Sequence, residues 1–276
     1  MDLWNHNSMI SIYPEINAEN VWALQDKGYQ LGDSILWTPI LRQLSLMIQR
    51  PVPVFFETAF LQDIFLDCPF MKILQERPSH PPFITNRIGY IHTMLRTDTN
   101  AYQVVLASLF GAGIEYVPYI DRPATVHLQR DHRRVVAVLH GCLSENRLKA
   151  KGLSQHLRND IIQSIIDVNM RPLVFGTDAD RERYWQGIDC DNTFGMNLRD
   201  AVSLLNQCDA FVGNDTGLSH AAQALGLQGI VLFRESSIYQ TPSSRIRVVR
   251  DSEYMMLRAV KEFLTQVSKN PLGRTP

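Results

Sequence analysis

The fold of this protein is decided by residues 209–226, which read DAFVGNDTGLSHAAQALG. Residues 210–212 are apolar and suit a short strand, a polar turn follows, and the apolar residues beyond it recur at helical spacing. Gly226 is placed to end that helix, because glycine readily adopts the left-handed conformation that closes many helices. The stretch therefore predicts a strand, a tight turn and a helix, the repeating unit of a parallel α/β sheet.

The segments around this unit alternate in the same way. Continuous apolar runs, typical of strands buried on both faces, occur at 134–139 (RVVAVL), 172–175 (PLVF) and 230–233 (IVLF). Helical patterns cover about 154–168, 198–207, 218–225 and 255–267, and residues 246–249 read as a further short strand. The second half of the chain is therefore predicted to form a doubly wound parallel sheet.

The first half shows a weaker version of this pattern. Strands are predicted at 21–24, 52–56 and 114–119, and helices at 34–48 and 102–110. Pro39 lies near the front of the first helix, where a missing backbone N–H is best tolerated. We therefore predict an α/β protein of two Rossmann-like lobes, residues 1–125 and 126–276. Whether the terminal helix at 255–267 packs back on the first lobe is left open.

Composition limits the partners of the protein. The chain has 276 residues, with 27 Lys and Arg against 28 Asp and Glu, a balance that argues against a broad nucleic-acid surface. Its four cysteines form no Cys-x-x-Cys pair, which is typical of reduced cytosolic thiols. The chain starts without a signal-peptide pattern and has no 18-residue apolar run. We expect a cytoplasmic protein, and attachment to the inner face of the membrane stays open.

The turn at 214–217 (NDTG) is the first candidate for a ligand site. In an open parallel sheet, ligands bind at the carboxyl ends of the strands, where helix N-termini present unpaired N–H groups. The Thr216 hydroxyl and the absence of a side chain at Gly217 would suit a phosphate group. The alternative is that Asp215 or Thr216 only caps the helix, and spacing alone does not separate the two interpretations.

A second candidate is the loop at residues 27–34, KGYQLGDS, again between a predicted strand and a predicted helix. Gly32 permits the close approach of a ligand, and the Asp33 carboxylate could act as a general base. The alternative is that Asp33 is a helix N-cap.

The two candidate segments together resemble those of glycosyltransferase family 9, the heptosyltransferase-like enzymes. Residues 32–42, GDSILWTPILR, are similar to the family's opening Gly-Asp-x-Leu-x-x-Thr-Pro-x-Leu-Arg segment. Residues 214–226 resemble its Asn-Asp-Ser/Thr-Gly-x-x-His-x-Ala-x-x-Leu-Gly motif, and residues 194–198 resemble its Gly-x-x-x-Leu segment. The resemblance implies a GT-B fold, in which two facing Rossmann-like, doubly wound lobes with parallel sheets enclose an active site in a cleft.

The resemblance also implies an activity, the inverting and metal-independent transfer of a sugar, a heptose being one option. The donor would be a nucleotide-diphosphate sugar, and the acceptor a hydroxyl of a glycan, a protein or a small molecule. Asp33 would be the general base, in an acceptor-side loop with Gly32 and Ser34. Neither a metal nor a cofactor is implied, and the donor would contact Asn214, Asp215, Thr216, Gly217, His140, Arg147 and Lys149.

Departures from the family pattern keep a second function open. The strand at 134–139 ends in His140-Gly141-Cys142, where the family has His-Pro-Gly, and residues 234–237 (RESS) stand in place of Gly-Pro-Thr. Which of Arg147, Lys149 and Lys151 would contact phosphate is also open. The alternative is a non-catalytic nucleotide-sugar-binding or scaffold protein of the same fold. The glycine patterns of nicotinamide oxidoreductases and P-loop enzymes are absent.

Other polar residues receive a structural interpretation. His220 is expected to be a packed or capping residue. The pairs at 178/180 and 189/191 match the Asp-x-Asp pattern of metal-dependent transferases, but so short a pattern is common by chance. We assign the first pair to a surface turn, and neither pair enters the predicted site.

Overall fold

A computed structural model describes residues 20–27, 30–86, 101–111, 113–141, 152–187, 189–233 and 244–269 of the chain. The chain divides into two compact units, Met1–Asp121 and Arg122–Pro276. The predicted boundary after residue 125 falls in the irregular segment just beyond this division. Each unit contains a parallel sheet with helices, so the predicted α/β class is confirmed. Within the described residues, no helix is both long enough and apolar enough to cross a membrane.

The first unit is built on a four-stranded parallel sheet in the order β3-β2-β1-β4. Its strands are β1 Ala23–Gln25, β2 Val52–Phe56, β3 Met71–Ile73 and β4 Ile84–Thr85. Its helices are α1 Leu31–Leu36, α2 Thr38–Ile48, a 3₁₀ helix Ala59–Ile64 and α3 Ala101–Phe110. The chain places β2 and β3 on one side of β1 and then crosses to place β4 on the other side. The strand order therefore reverses between β1 and β4.

The helix predicted at 34–48 is two helices that meet at Trp37. Pro39 has no N–H, so it cannot donate the hydrogen bond that a continuous helix would direct to the carbonyl of Ile35. The Thr38 hydroxyl donates to that carbonyl instead, at 2.7 Å. The Thr-Pro pair thus ends one helix and starts the next without leaving the Ile35 carbonyl unpaired.

The strand predicted at 114–119 is wrong, because this segment is irregular. Two of its polar groups bond to the helix pair formed by α1 and α2. The Tyr119 N–H donates to the Thr38 hydroxyl at 2.7 Å, and the Tyr116 hydroxyl donates to the carbonyl of Leu36 at 2.7 Å. Strands β3 and β4 were not predicted, because they contain three and two residues and are too short for a periodic signal.

The second unit contains a six-stranded parallel sheet in the order β10-β9-β8-β5-β6-β7. The strands are β5 Val135–Leu139, β6 Arg171–Phe175, β7 Asp191–Asn192, β8 Ala210–Asn214, β9 Gly229–Phe233 and β10 Ile246–Arg250. The helices are α4 Gln155–Asp167, α5 Asp178–Tyr184, α6 Leu198–Leu205, α7 Gly217–Ala224 and α8 Glu253–Lys269. Gly226 follows α7 with a φ of +79°, the left-handed conformation expected of a residue that ends a helix.

The terminal helix α8 packs on the core of the second unit. Its buried side chains, among them Met256, Val260 and Leu264, join a cluster with residues of α4, β5 and β9. This apolar face is buried within the core of the second unit.

The segment assigned to a surface turn at 178–180 is instead the first turn of helix α5. Thr177 is its N-cap, and the Asp180 carboxylate accepts hydrogen bonds from the N–H of Thr177 at 2.9 Å and from its hydroxyl at 2.8 Å. A capping pair of this kind starts a helix even where the apolar pattern is weak, which is why periodicity did not reveal it.

Candidate functional site

The candidate site of the second unit lies where its strand order reverses, between β5 and β8. The chain builds β5, β6 and β7 in one direction and then returns to place β8 on the free side of β5. Doubly wound sheets bind ligands at such a point, outside the carboxyl ends of the strands. Gly213 is part of this arrangement, because a β-carbon there would clash with the carbonyl oxygen of Leu139. The motif glycine therefore lets β8 approach β5 closely.

Asn214 joins the two strand ends. Its side chain is fully buried, its Oδ1 accepts from the N–H of Gly141 at 3.4 Å, and its Nδ2 donates to the carbonyl of Gly141 at 3.3 Å. The carbonyl of Asn214 accepts from the hydroxyl of Ser219 at 2.6 Å. Asn214 was predicted to contact the nucleotide-sugar donor. In the structure its side chain holds Gly141, which follows β5, against the turn after β8.

Thr216 and Gly217 begin helix α7. Thr216 is the N-cap, with an extended backbone, and its hydroxyl accepts from the N–H of Ser219 at 3.4 Å. The first N–H groups of a helix have no partners within the helix, so the start of α7 presents donors at the reversal point. The capping interpretation of Thr216 and the ligand interpretation are therefore compatible.

Asp215 is a buried carboxylate paired with His220. Their side chains are 1% and 7% exposed, and His220 Nε2 lies 3.3 Å from Asp215 Oδ1. His220 is on helix α7, so this pair ties the turn to the first turns of the helix that follows it. The predicted site contains Asp215 but not His220. Their separation of five positions across a turn-to-helix junction is the signal that could have related them.

His140 is a packed, neutral ring. Burial, and then the positive charge of Arg158, lower its pKa to about 3. Its Nε2 accepts from the N–H of Leu153 at 3.1 Å, so the ring proton sits on Nδ1. The ring packs edge-on against Tyr184 and Trp185, with centroids 4.8 and 6.0 Å away. His140 therefore holds Leu153 next to the end of β5 and brings no positive charge to a phosphate.

Arg158 is a buried cation outside the set of residues predicted for the site. Its guanidinium lies 5.5 Å from the ring centres of both Tyr184 and Trp185 and donates to the carbonyl of Tyr184 at 2.9 Å. Burial lowers the pKa of Arg158 from its usual value. The available signal was a charged residue on the apolar face of α4, between Leu157 and Ile161. Its contacts link α4 to the end of α5, beneath His140.

The start of helix α5 lies at the same edge of the sheet as the 214–217 turn. A β-carbon at Gly141 would lie 3.1 Å from Oδ1 of Asp180, so the capping carboxylate of α5 borders the loop after β5. Among the described residues, no group of three or more His, Cys, Asp and Glu side chains is arranged to hold a metal ion. The predicted phosphate contacts Arg147 and Lys149, with Lys151, lie outside the described residues.

In the first unit, Asp33 occupies the third position of α1 and not the N-cap position, which belongs to Gln30. One carboxylate oxygen accepts from the N–H of Gln30 at 3.3 Å, and the other accepts from the hydroxyl of Tyr102 at 3.2 Å. The side chain is half-buried. A carboxylate has about four acceptor positions, so capacity to accept a proton remains.

The other residues of the predicted acceptor-side loop are buried. Gly32 lies inside α1, and the Ser34 hydroxyl donates to the carbonyl of Gln30 at 3.1 Å. The structure therefore leaves Asp33 as the ionisable side chain of this short helix that is still partly exposed.

Residues 180–264 match the sequence model of glycosyltransferase family 9 (heptosyltransferase), a range that contains the 214–217 turn. No curated protein sequence matches the chain.

Solved structures share the fold over most of the chain. A family 9 glycosyltransferase from Veillonella parvula DSM 2008 aligns with a TM-score of 0.64 at 15% identity, covering 87% of this chain and 88% of that one. Heptosyltransferase WaaC of E. coli with ADP gives 0.62 at 14% identity and covers 90% and 100%. The iron-containing dodecameric glycosyltransferase TibC of enterotoxigenic E. coli gives 0.58 at 13% identity and covers 82% and 61%. At these identities the likeness establishes the GT-B fold.

Proposed function

We propose that this chain, with a GT-B fold and a family 9 match over residues 180–264, transfers a sugar from a nucleotide-diphosphate sugar to an acceptor hydroxyl. The observation that carries the proposal is the position of the 214–217 turn. It lies at the strand reversal of the second sheet, begins a helix, and falls within the matched residues. A diphosphate suits such a place, because helix N-termini attract anions through unpaired N–H groups and the helix dipole.

The donor is proposed to contact the turn at Asp215, Thr216 and Gly217. Asn214 acts on it indirectly, by holding the turn against Gly141. Arg147, Lys149 or Lys151 would add positive charge to the leaving diphosphate, which stabilises charge that develops in the transition state. WaaC is described with ADP, and TibC with ADP-D-β-D-heptose. An ADP-heptose is therefore the first donor to test.

The chemistry assigned to Asp33 is general-base catalysis. The acceptor oxygen attacks the anomeric carbon while the Asp33 carboxylate takes the hydroxyl proton, and the bond from that carbon to the diphosphate oxygen breaks. Direct displacement inverts the anomeric carbon. The half-buried carboxylate is held on both oxygens, so its direction is defined before the acceptor binds. Such pre-orientation is the condition under which a general base is effective.

A non-catalytic nucleotide-sugar-binding protein is the second candidate. It is favoured by His140, which follows β5 without the proline of the family pattern and is buried and uncharged. Two measurements separate the candidates. Thermal shift with ADP-, GDP-, UDP- and dTDP-sugars identifies the donor, because a ligand at 100 times its Kd stabilises a protein by about 2.7 kcal/mol. Release of the nucleoside diphosphate that depends on an added acceptor then supports transfer, whereas binding without release supports the non-catalytic function.

A further inference from the structure

Asp33 is connected to the sheet of the first unit through Tyr102. Tyr102 is the second residue of α3 and its side chain is fully buried. Its hydroxyl lies 3.2 Å from Asp33 Oδ1 and 3.0 Å from the carbonyl oxygen of Asn86. Asn86 directly follows β4, and its Oδ1 accepts from the N–H of Asp26, which follows β1, at 3.0 Å. These hydrogen bonds thus connect the point where the strand order reverses to the carboxylate of Asp33.

The Tyr102 hydroxyl has one proton and two acceptors. While Asp33 is ionised, both neighbours can only accept, so the proton is shared between them. Once the Asp33 carboxyl is protonated, it can donate to the tyrosine oxygen, and the tyrosine proton then passes fully to the Asn86 carbonyl. Tyr102 can therefore remain hydrogen-bonded to Asp33 before and after proton transfer, without movement of the buried ring.

We propose that Tyr102 is the positioning residue of Asp33, holding the carboxylate for proton transfer from the acceptor hydroxyl in both of its protonation states. This inference rests on the proposed function. Tyr102 contacts Asp33 and the main chain, so its effect on transfer acts through the carboxylate. The hydrogen bond from Gln30 to the other oxygen limits rotation but comes from the start of a six-residue helix. The buried ring is the more rigid of the two supports.

The test is Tyr102→Phe, which removes the hydroxyl and keeps the buried ring. We expect kcat for sugar transfer to fall about 10- to 100-fold, the range that loss of one hydrogen bond to a charged group supports. The KM values for donor and acceptor should stay within about twofold, since their binding groups are untouched.

The matched control is Tyr116→Phe. The Tyr116 hydroxyl donates to the carbonyl of Leu36 in the same helix, at 2.7 Å. Burial, and then the charge of Asp33, raise the pKa of Tyr116 well above its usual range, so it too is a protonated tyrosine near this carboxylate. Its removal should change the melting temperature but leave kcat within about twofold. Equal losses of kcat in the two variants would show a general effect on the helix and overturn the proposal.

Asp33→Asn separates this inference from the proposed function. If Asp33→Asn abolishes transfer while Tyr102→Phe is as active as the parent, Asp33 is the base and the positioning role is wrong. If Asp33→Asn transfers sugar at the normal rate, Asp33 is not the general base, and the positioning role of Tyr102 fails together with the proposed role of Asp33.

A double-mutant cycle on apparent melting temperature gives a measurement that needs no activity. If the hydrogen bond exists, Tyr102→Phe should lower the melting temperature by roughly 2–6 °C more in the parent than in Asp33→Ala. Equal decreases in both backgrounds would show that Tyr102 and Asp33 are not coupled, and would overturn the proposal whether or not the donor is known.

Discussion

The side chain of Asn214 and the main chain of Gly141 exchange two hydrogen bonds, at 3.4 and 3.3 Å, across the reversal point of the second sheet. In the first unit, Asn86 occupies a comparable place, since its Oδ1 accepts from the N–H of Asp26 across the reversal between β1 and β4. In both units an asparagine amide therefore joins the loops that follow two parallel strands which are neighbours in space but distant in sequence.

Asn214→Asp should destabilise the second unit. The new carboxylate still accepts from the N–H of Gly141 but faces its carbonyl with an oxygen in place of a donor. The free energy of unfolding should fall by about 1–3 kcal/mol, the cost of leaving a buried polar group unpaired. Urea denaturation measures it. Asn192 is the control, since it makes the same two kinds of main-chain bond on the exposed surface, where water can replace them. Equal losses in Asn192→Asp and Asn214→Asp would contradict the assigned role.

Asp215→Ala should weaken donor binding by about tenfold or more, because it removes a proposed sugar contact and releases His220 from its partner at the start of α7. The dissociation constant of the donor identified by thermal shift, measured by calorimetry on folded protein, tests this. Asp160→Ala is the matched control, since Asp160 pairs with His156 at the same 3.3 Å but on an exposed face of α4. Unchanged affinity in both variants would place the donor elsewhere.

Acid should destabilise the fold through His140. Its pKa is lowered to about 3 in the folded protein and is about 6.5 when unfolded, so between these values the unfolded chain binds more protons. The contribution of His140 to the free energy of unfolding is thus complete above pH 6.5. It is lost as the pH falls toward 3, by about 1.4 kcal/mol per pH unit.

The comparison that isolates this effect is His140→Gln, whose side-chain oxygen can accept from Leu153 but does not titrate. The stability difference between parent and variant should narrow as pH falls from 7 to 4. Parallel pH profiles for the parent and His140→Gln would show that His140 is not held neutral by the fold.

Asp33→Asn should lower turnover by about 10²–10⁴, the usual contribution of general-base catalysis. Donor affinity should be unchanged, since the proposed donor contacts are in the second unit. Single-turnover transfer at saturating donor and acceptor gives the rate. Asp200→Asn is the control, because Asp200 occupies the same third position of helix α6. A near-normal rate from folded Asp33→Asn would leave Asp33 a structural residue of α1.

Transfer should continue in excess chelator, because the proposed charge stabilisation comes from a helix start and cationic side chains. The assay is turnover before and after exhaustive treatment with EDTA, followed by addition of manganese or iron. TibC, which shares the fold, is described as iron-containing, so iron is included. Loss of turnover with EDTA that is restored by one metal would contradict this mechanism and direct attention to Asp178 and Asp180.

Most elements of the second unit could be predicted from the sequence. Strands β5, β6, β8 and β9 are largely buried and read as apolar runs, and helices α4, α6 and α7 carry a clear apolar face. Strand β7, of two exposed residues, and the polar helix α5 lack these patterns. The strand, turn and helix around residues 214–217 are contiguous in the chain, so local spacing was enough to locate this turn as a candidate site. The first unit was predicted less well, because strands of two or three residues carry no period and a Thr-Pro pair divides its first long helix.

Contacts between residues distant in sequence could not be predicted without the folded structure. Asn214 and Gly141 are 73 positions apart, and Tyr102 and Asp33 are 69 apart. Such contacts depend on the order of strands in each sheet, which no local pattern encodes. Burial is also a property of the folded chain. It lowers the pKa of His140 to about 3, and it encloses the Asp215–His220 pair. The sequence identified ionisable groups near strand ends, and the packing around them decided which stay accessible and which hold the loops together.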